Sequence, residues 1–252
     1  MIYVDGRVFG EHHVLAAEGV DANGEKHVLG IAPGSSENHH VAKDLLQSLI
    51  ERGLDPERPR LFVIYGSKAL RKAILELFGP DKPVQRCRAH KLRNVVERLP
   101  KEERDQTKNA MRVAWRLDEK EGKQKLQTLA SWLEHQDHPD AAASLREGMD
   151  EMFTVNRQGL PSALRRCLAT TNIIENPNGG VRRRTGRVSR CRDSSMILRW
   201  TAASLLECET GFRKIMGYKD LWLLKAKLDE LAQERAAKRS AEKTLAPAGK
   251  AA

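Results

Sequence analysis

The sequence predicts an α/β fold in which a mixed five-stranded sheet with flanking helices is joined to an all-helical insertion. Short apolar runs separated by turn residues occupy the first 90 residues, which indicates strands alternating with helices. From about residue 91, apolar residues recur at helical spacing instead. With 252 residues, of which 40% are hydrophobic, the chain is long enough to bury a core of its own.

The strands near the N-terminus are indicated by three apolar runs. These runs cover residues 2–4, 14–17 and 27–31, and the turn sequence Asp21–Gly24 joins the last two as a hairpin. A helix should follow from Ser35 or Ser36, with Gly53 just beyond its end.

The next elements continue the alternation. Residues 60–65, apolar from Leu61 onward, form a run that is typical of a buried central strand. A helix over Lys68–Phe78 and a short extended segment over 83–86 complete the pattern. Three strands, a helix, a strand, a helix and a strand follow one another as in a ribonuclease-H-like core, although many α/β domains share parts of this order.

The chain is expected to divide into four parts. We predict that residues 1–90 form the first part of the core, 91–166 a helical insertion, and 167–231 the rest of the core with C-terminal helices. Residues 232–252 contain few large apolar side chains, so we predict a disordered tail.

The net charge of +10 is distributed in blocks. Residues 60–116 and 164–252 carry +9 and +10, whereas residues 1–59 and 117–163 carry −5 and −4. Two basic blocks that flank an acidic one indicate a polyanionic partner. No apolar run is long enough to span a bilayer, and charged residues stand where a signal peptide would be apolar, so we expect a cytoplasmic protein without membrane contact. The four scattered cysteines include no CxxC pair and are expected to be reduced.

Three motifs stand out along the chain. They are DGRVFGEHHVL from Asp5, VQRCRAHKLRNV from Val84, and TTNIIEN from Thr170 with VRRRT following from Val181. In this order, and over nearly the whole chain to about residue 225, they resemble the catalytic domain of Mutator-type transposases of bacterial insertion sequences. The resemblance implies a ribonuclease-H-like core with a helical insertion before the last acidic residue. It also implies DNA transposition by metal-dependent strand cleavage and transfer.

The resemblance further implies three carboxylates that hold two Mg²⁺ (or Mn²⁺) ions, which activate a hydroxyl and stabilise the leaving oxygen. Asp5 matches the first carboxylate and Glu175 the third, but Tyr65 stands at the second position. A phenol with a pKa of about 10 is neutral near pH 7 and binds Mg²⁺ poorly. We therefore predict a catalytically impaired copy. The alternatives are that Glu11 or Asp44 supplies the missing carboxylate, or that the codon for Tyr65 carries a sequencing error.

Two further motifs have both a structural and a functional interpretation. Asn172 and Glu175 also fit a helix capping box, a role compatible with metal binding. Cys87 and His90 have the spacing of half a zinc site, but no second half follows at zinc spacing. The resemblance makes this pair a structural signature of the core.

Basic residues form two clusters beside these motifs, where contact with the DNA backbone is expected. The first comprises Arg86, Arg88, Lys91 and Arg93, and the second Arg182, Arg183, Arg184, Arg187 and Arg190. The implied partners are DNA, as element ends and target, and a second copy of the chain or a full-length transposase.

The chain departs from the family pattern near both ends of the triad. Only four residues precede Asp5, where family members carry a long segment that binds the element's terminal repeats, so we expect a truncated copy. Pro177 removes a helix donor next to Glu175. The sequence thus predicts a truncated, impaired transposase. The alternatives are a non-enzymatic fragment that binds DNA or inhibits an intact transposase, and an unstable relic.

Overall fold

The structure is a computed structural model that describes residues 1–9, 12–34, 38–173 and 194–245. Its strands are β1 (Ile2–Phe9), β2 (His12–Val20), β3 (Lys26–Pro33), β4 (Phe62–Ile64) and β5 (Val84–Arg86). They form one sheet in the order β3-β2-β1-β4-β5. β2 pairs in an antiparallel manner with both β1 and β3, whereas β4 pairs in parallel with both β1 and β5. The predicted mixed five-stranded sheet is confirmed.

Ten α-helices lie in the described ranges, together with two 3₁₀ turns at Asp150–Phe153 and Tyr218–Asp220. The helices are α1 (His39–Glu51), α2 (Lys68–Phe78), α3 (Arg88–Val96), α4 (Lys101–Arg116), α5 (Glu119–His135), α6 (Pro139–Arg146), α7 (Thr154–Arg157), α8 (Ser162–Leu168), α9 (Ser194–Glu209) and α10 (Leu221–Leu245). None of these helices is both long enough and apolar enough to cross a membrane.

Local capping chemistry sets the start and end of α1. The Asn38 side chain accepts hydrogen bonds from the backbone N–H groups of His40 and Val41, so α1 begins after Asn38 rather than at Ser35 or Ser36, which lie outside the described residues. Gly53 follows the helix with a φ of 102°, as its predicted position just beyond the helix end requires.

The two faces of the sheet bury different partners because side chains alternate along each strand. Ile2 and Val4 of β1 pack with α1 and α2 on one face. Tyr3 and Val63 face the other side, where they pack with α8 and α10. A third apolar cluster lies within the helical segment and joins α3, α4, α5 and α6. The sheet therefore has both faces covered, and the helical segment has a core of its own.

The chain returns to the sheet after the helical segment, since α9 packs on β3 and β2. The last helix, α10, continues to Leu245, and so part of the predicted disordered tail over 232–252 is helical; residues 246–252 lie outside the described residues. Its first turns bury Leu221, Leu224 and Leu228 against the sheet, and Arg235 donates a hydrogen bond to the backbone oxygen of Asp81. The alanines, lysines and glutamates beyond residue 231 are good helix formers that extend an anchored helix.

Candidate active site

Asp5 lies within β1, and Tyr65 lies just after the end of β4, the strand that pairs with β1 in parallel. β1 and β4 pair through Tyr3 opposite Val63 and Val4 opposite Ile64, so the next position in this register sets Asp5 beside Tyr65. Asp5 follows Tyr3 by two residues in β1 and so lies on the same face of the sheet, whereas Tyr65 lies in a bend just after β4. Asp5 is buried, with 4% of its surface exposed. This is the placement that two metal-binding carboxylates on adjacent strands would need.

The ring of Tyr65 contacts the pair that the sequence marks as a structural signature. Its centroid lies 5.5 Å from that of His90, in an edge-on arrangement. His90 Nδ1 lies 3.2 Å from Cys87 Sγ and 3.3 Å from Thr171 Oγ1, and Thr171 also donates its backbone N–H to Cys87 Sγ at 3.3 Å. Tyr65, Cys87, His90 and Thr171 thus form one cluster, which we call the Tyr65 cluster.

The Tyr65 cluster lowers the pKa of the Cys87 thiol at its centre. Burial of Cys87 would raise its pKa, but hydrogen bonds from His90 and Thr171 and the charge of His90 outweigh that effect and lower it. Because Cys87, His90 and Thr171 satisfy one another, the Cys-x-x-His pair holds β5 and α3 against the segment around Thr171.

The Tyr65 cluster positions the start of the third motif. Thr171 is fully buried in the cluster, and Ile173 packs in the core on the same face of the sheet as Tyr3. The backbone N–H of Arg88 also bonds to the carbonyl of Ala169 at 2.9 Å. Glu175 itself lies outside the described residues, as do Arg182, Arg183, Arg184, Arg187 and Arg190, so their predicted roles stay predictions.

The described side chains at this edge do not match a two-Mg²⁺ site. One carboxylate, Asp5, stands beside a phenol, and Mg²⁺ prefers several hard oxygen ligands. Of the two acids that we considered as replacements, Asp44 is exposed on α1 and Glu11 is outside the described ranges. A close group of three potential ligands, Asp21, Glu25 and His27, lies in the β2–β3 hairpin beyond the amino end of β1.

Three of the four basic residues in the first predicted cluster are buried and bonded to the helical segment. Arg86 donates to the carbonyl of Glu147 at 3.1 Å and to its carboxylate at 3.0 Å, and it has 6% of its surface exposed. Lys91 is fully buried and donates to the carbonyl of Ser144 and to Glu147. Arg88 donates twice to the carbonyl of Met152, at 2.9 and 2.7 Å.

This placement differs from the DNA-backbone contact that we predicted for Arg86, Arg88 and Lys91. Their side chains fix the helical segment on the carboxyl edge of the sheet, whereas Arg93 of the same cluster is exposed. Spacing along the sequence could not separate these roles, because α3 turns Arg88 and Lys91 inward and Arg93 outward. The partner that sequence reasoning missed is Glu147, which also pairs with Lys68 at 3.4 Å.

The pairing of these charges shifts their pKa values strongly. Burial and the charge of Arg86 lower the pKa of Lys91 to about 8, against the attraction of Glu147. Although burial would raise the pKa of Glu147, Arg86 and Lys91 lower it to about 2. Glu147 is therefore a fixed anion between buried cations.

Comparisons with known proteins give the family of the chain. The model of the transposase family named Mutator matches residues 2–214. A transposase of insertion sequence element IS406 from Burkholderia multivorans is 31% identical over 212 residues, which cover 82% of this chain and 52% of that protein. One of element ISRM5 from Rhizobium meliloti is 29% identical over 207 residues, covering 81% and 50%.

A further relative, the transposase of element IST2 from Acidithiobacillus ferrooxidans, is 28% identical over 185 residues, or 73% of this chain and 61% of that protein. The chain thus spans between half and about three-fifths of the length of these relatives. The family match extends over most of the chain, from β1 through α9. By its sequence and its sheet topology, this chain belongs to the Mutator family of transposases.

Proposed function

We propose that this chain is the catalytic-core portion of an insertion-sequence transposase that acts on DNA phosphodiesters and is impaired at the metal-dependent step. The observation that carries the proposal is the position of Tyr65 next to buried Asp5, where β4 ends beside β1. In a transposase of this family that place belongs to a second carboxylate. A neutral phenol there neither balances the charge of a divalent cation nor matches its preference for carboxylate oxygen.

The chemistry that a bound Mg²⁺ or Mn²⁺ pair would supply is activation of a water or 3′-hydroxyl and stabilisation of the leaving oxygen. Asp5 and Glu175 are the residues that we propose for holding the ions. Asp5 is held by β1 in the sheet, and the segment leading to Glu175 is anchored through Thr171. The scaffold for the site is therefore retained, while one ligand is missing from it.

DNA binding is proposed to persist without cleavage. A second candidate function follows, namely a fragment that binds DNA or an intact transposase and inhibits it. Arginines line a groove next to Thr170 whose lining includes no carboxylate, which supports phosphate binding that does not depend on the metal ligands. Association with a second copy or with a full-length transposase is part of this proposal.

The test compares divalent-cation binding by the chain, by Tyr65→Asp and by Tyr65→Phe, using calorimetry with Mn²⁺ and Mg²⁺. We expect Tyr65→Asp alone to bind metal, and the double variant Tyr65→Asp/Glu175→Gln to lose this binding. Nicking of supercoiled DNA in Mn²⁺ should follow the same order. Tyr65→Phe controls for removal of the hydroxyl without a new charge.

Two results would contradict the proposal. Binding of two ions by the unmodified chain would mean that another acid replaces Tyr65. A folded Tyr65→Asp variant that binds no metal would mean that the assignment of the site is wrong, and a circular-dichroism melt of each variant establishes whether it is folded.

A further inference from the structure

One carboxylate of the helical segment pairs with cations from three elements around the edge of the sheet. Glu147 directly follows α6, and its side chain lies close to three cations: Lys68 of α2 at 3.4 Å, Arg86 of β5 at 3.0 Å and Lys91 of α3 at 3.4 Å. This single carboxylate therefore joins the helical segment to α2, β5 and α3 at once.

The three cations also lie beside members of the Tyr65 cluster in the chain. Lys68 follows Tyr65 by three residues, and Arg86 directly precedes Cys87. The third cation, on α3, directly follows His90. Each of these partners of the carboxylate is thus linked to the Tyr65 cluster by at most a few residues of backbone.

The guanidinium of Arg86 lies between two glycines, one from the core and one from the helical segment. At Gly66, directly after position 65, a Cβ would lie 2.7 Å from Arg86 Nε, and at Gly148, directly after Glu147, a Cβ would collide with Arg86 Nη1. Both glycines have a positive φ, of 135° and 63°. The absence of side chains at these two positions lets Arg86 pack on the backbone of the bend that contains position 65.

Without the Glu147 carboxylate, two buried cations would lose their counter-ion. Arg86 has 6% of its surface exposed and Lys91 is fully buried, and a buried charge without a partner is strongly unfavourable. Lys91 can lose its proton, and its pKa is already lowered to about 8, but a guanidinium stays charged. Arg86 would therefore move toward solvent, and the bend at Gly66 would lose the group that packs on it.

We propose that Glu147 is a positioning residue for the candidate active site: through Arg86 it sets the backbone at position 65, and through Lys91 it sets the orientation of His90. The helical segment thus acts on the geometry of the metal site without supplying a ligand. The inference rests on the proposed function and adds to it the residue by which the helical segment controls the site.

The first readout needs no metal. In the unmodified chain, NMR measures the contact between the Tyr65 and His90 rings, as nuclear Overhauser effects and as the ring-current shift of the His90 protons. The test variant is Glu147→Gln, which keeps the shape of the side chain and removes its charge. The matched control is Glu134→Gln, because Glu134 pairs with Arg146 within the helical segment rather than with a cation at the sheet edge.

The second readout is the affinity for Mn²⁺ of the chain that carries Tyr65→Asp, measured by calorimetry. Glu147→Gln and Glu134→Gln are each added to this variant, and a thermal melt establishes that each protein is folded. Glu147→Asp keeps the charge that balances the buried cations but withdraws it by one methylene. It takes the place of Glu147→Gln in both readouts if Glu147→Gln does not fold.

We expect Glu147→Gln to weaken the ring contact between Tyr65 and His90. In the Tyr65→Asp chain it should lower the affinity for Mn²⁺ about tenfold, at the lower end of the range for residues that orient metal ligands. Glu134→Gln should leave both readouts unchanged, although it also removes an ion pair from the helical segment. Glu147→Asp should change both readouts in the same direction as Glu147→Gln, by less.

Three results would overturn the inference. A folded Glu147 variant with an unchanged ring contact or an unchanged affinity for Mn²⁺ would restrict Glu147 to a role in stability, and so would failure of both Glu147 variants to fold. Equal effects of Glu147→Gln and Glu134→Gln would mean that any weakening of the helical segment disturbs the site. If Tyr65→Asp itself binds no metal, the proposed function fails, whereas the ring contact still decides whether Glu147 positions this edge of the sheet.

Discussion

The ring of Tyr65 packs edge-on against the ring of His90, with their centroids 5.5 Å apart. His90 in turn contacts Cys87 and Thr171, so the residue that we propose for the second acid position is part of the cluster that holds the start of the third motif. A substitution at position 65 therefore changes both the proposed metal site and the packing that supports it.

We expect the Tyr65→Leu variant to be less stable than Tyr65→Phe. Phe keeps the edge-on ring contact with His90, whereas Leu removes an aromatic pair that contributes about 0.5–1.5 kcal/mol beyond buried area. Urea unfolding of both variants measures the difference. Equal free energies of unfolding would show that the ring contact adds nothing to stability.

The carboxylate of Glu147 should make stability depend on pH in acid. Its folded pKa of about 2 lies below its ordinary value of 4.5, so the stabilisation is complete above about pH 4.5 and is lost as the pH falls toward 2. Glu147→Gln should be less stable than the parent at neutral pH, and the difference should shrink across this window. Glu102→Gln, at an exposed site on α4, is the control and should leave the pH dependence unchanged.

Lys91 should make the free energy of unfolding depend on pH in alkaline solution. Its folded pKa of about 8 lies below its ordinary value of 10.5, so between these values the unfolded chain binds more protons and stability rises with pH because of this group. A Lys91→Met variant should lack this contribution. The test is the difference in free energy of unfolding between parent and variant from pH 8 to 10.5, which should increase in favour of the parent. A difference in free energy of unfolding that stays constant over this pH range would contradict the lowered pKa of Lys91.

Gly148 should tolerate alanine poorly because of Arg86. A Cβ at Gly148 would collide with the Arg86 guanidinium, which is buried and paired with Glu147. Gly159 offers a matched control, since its φ of 59° is close to the 63° of Gly148 and nothing lies within 4 Å of its Cβ position. Both substitutions should cost about 1–2 kcal/mol for the left-handed backbone.

Gly148→Ala should lower the stability by more than this, because it also displaces Arg86 from its salt bridge with Glu147. Thermal unfolding of both variants provides the comparison. Equal losses of stability would mean that Arg86 moves aside freely and that its pairing with Glu147 is not needed for stability.

The order of strands and helices could be predicted because it depends on local patterns. Apolar runs of strand length, the Asp21–Gly24 turn and the helical spacing of Lys68–Phe78 act within a few residues of the chain, and the structure has these elements at nearly those bounds. The position of Asp5 and Tyr65 at the ends of apolar runs also followed from local pattern and resemblance.

The roles of the charged residues could not be predicted in this way. A run such as Arg86, Arg88, Lys91 and Arg93 has the same charge whether it faces solvent or the interior, and only the packing of α6 and the following 3₁₀ turn against β5 and α3 turned three of the four inward. Glu147, which pairs with Arg86 and Lys91, lies 61 residues from Arg86 in the chain, a separation that no local pattern encodes.

By itself, the sequence determined the family and the order of the elements, because these depend on residue type and spacing. The tertiary structure decided that Tyr65 lies beside Asp5 and against His90, and that Glu147 binds the buried cations Arg86 and Lys91. These relationships join residues from separate elements. Only the burial of apolar faces, which fixes how the helices dock, brings them together.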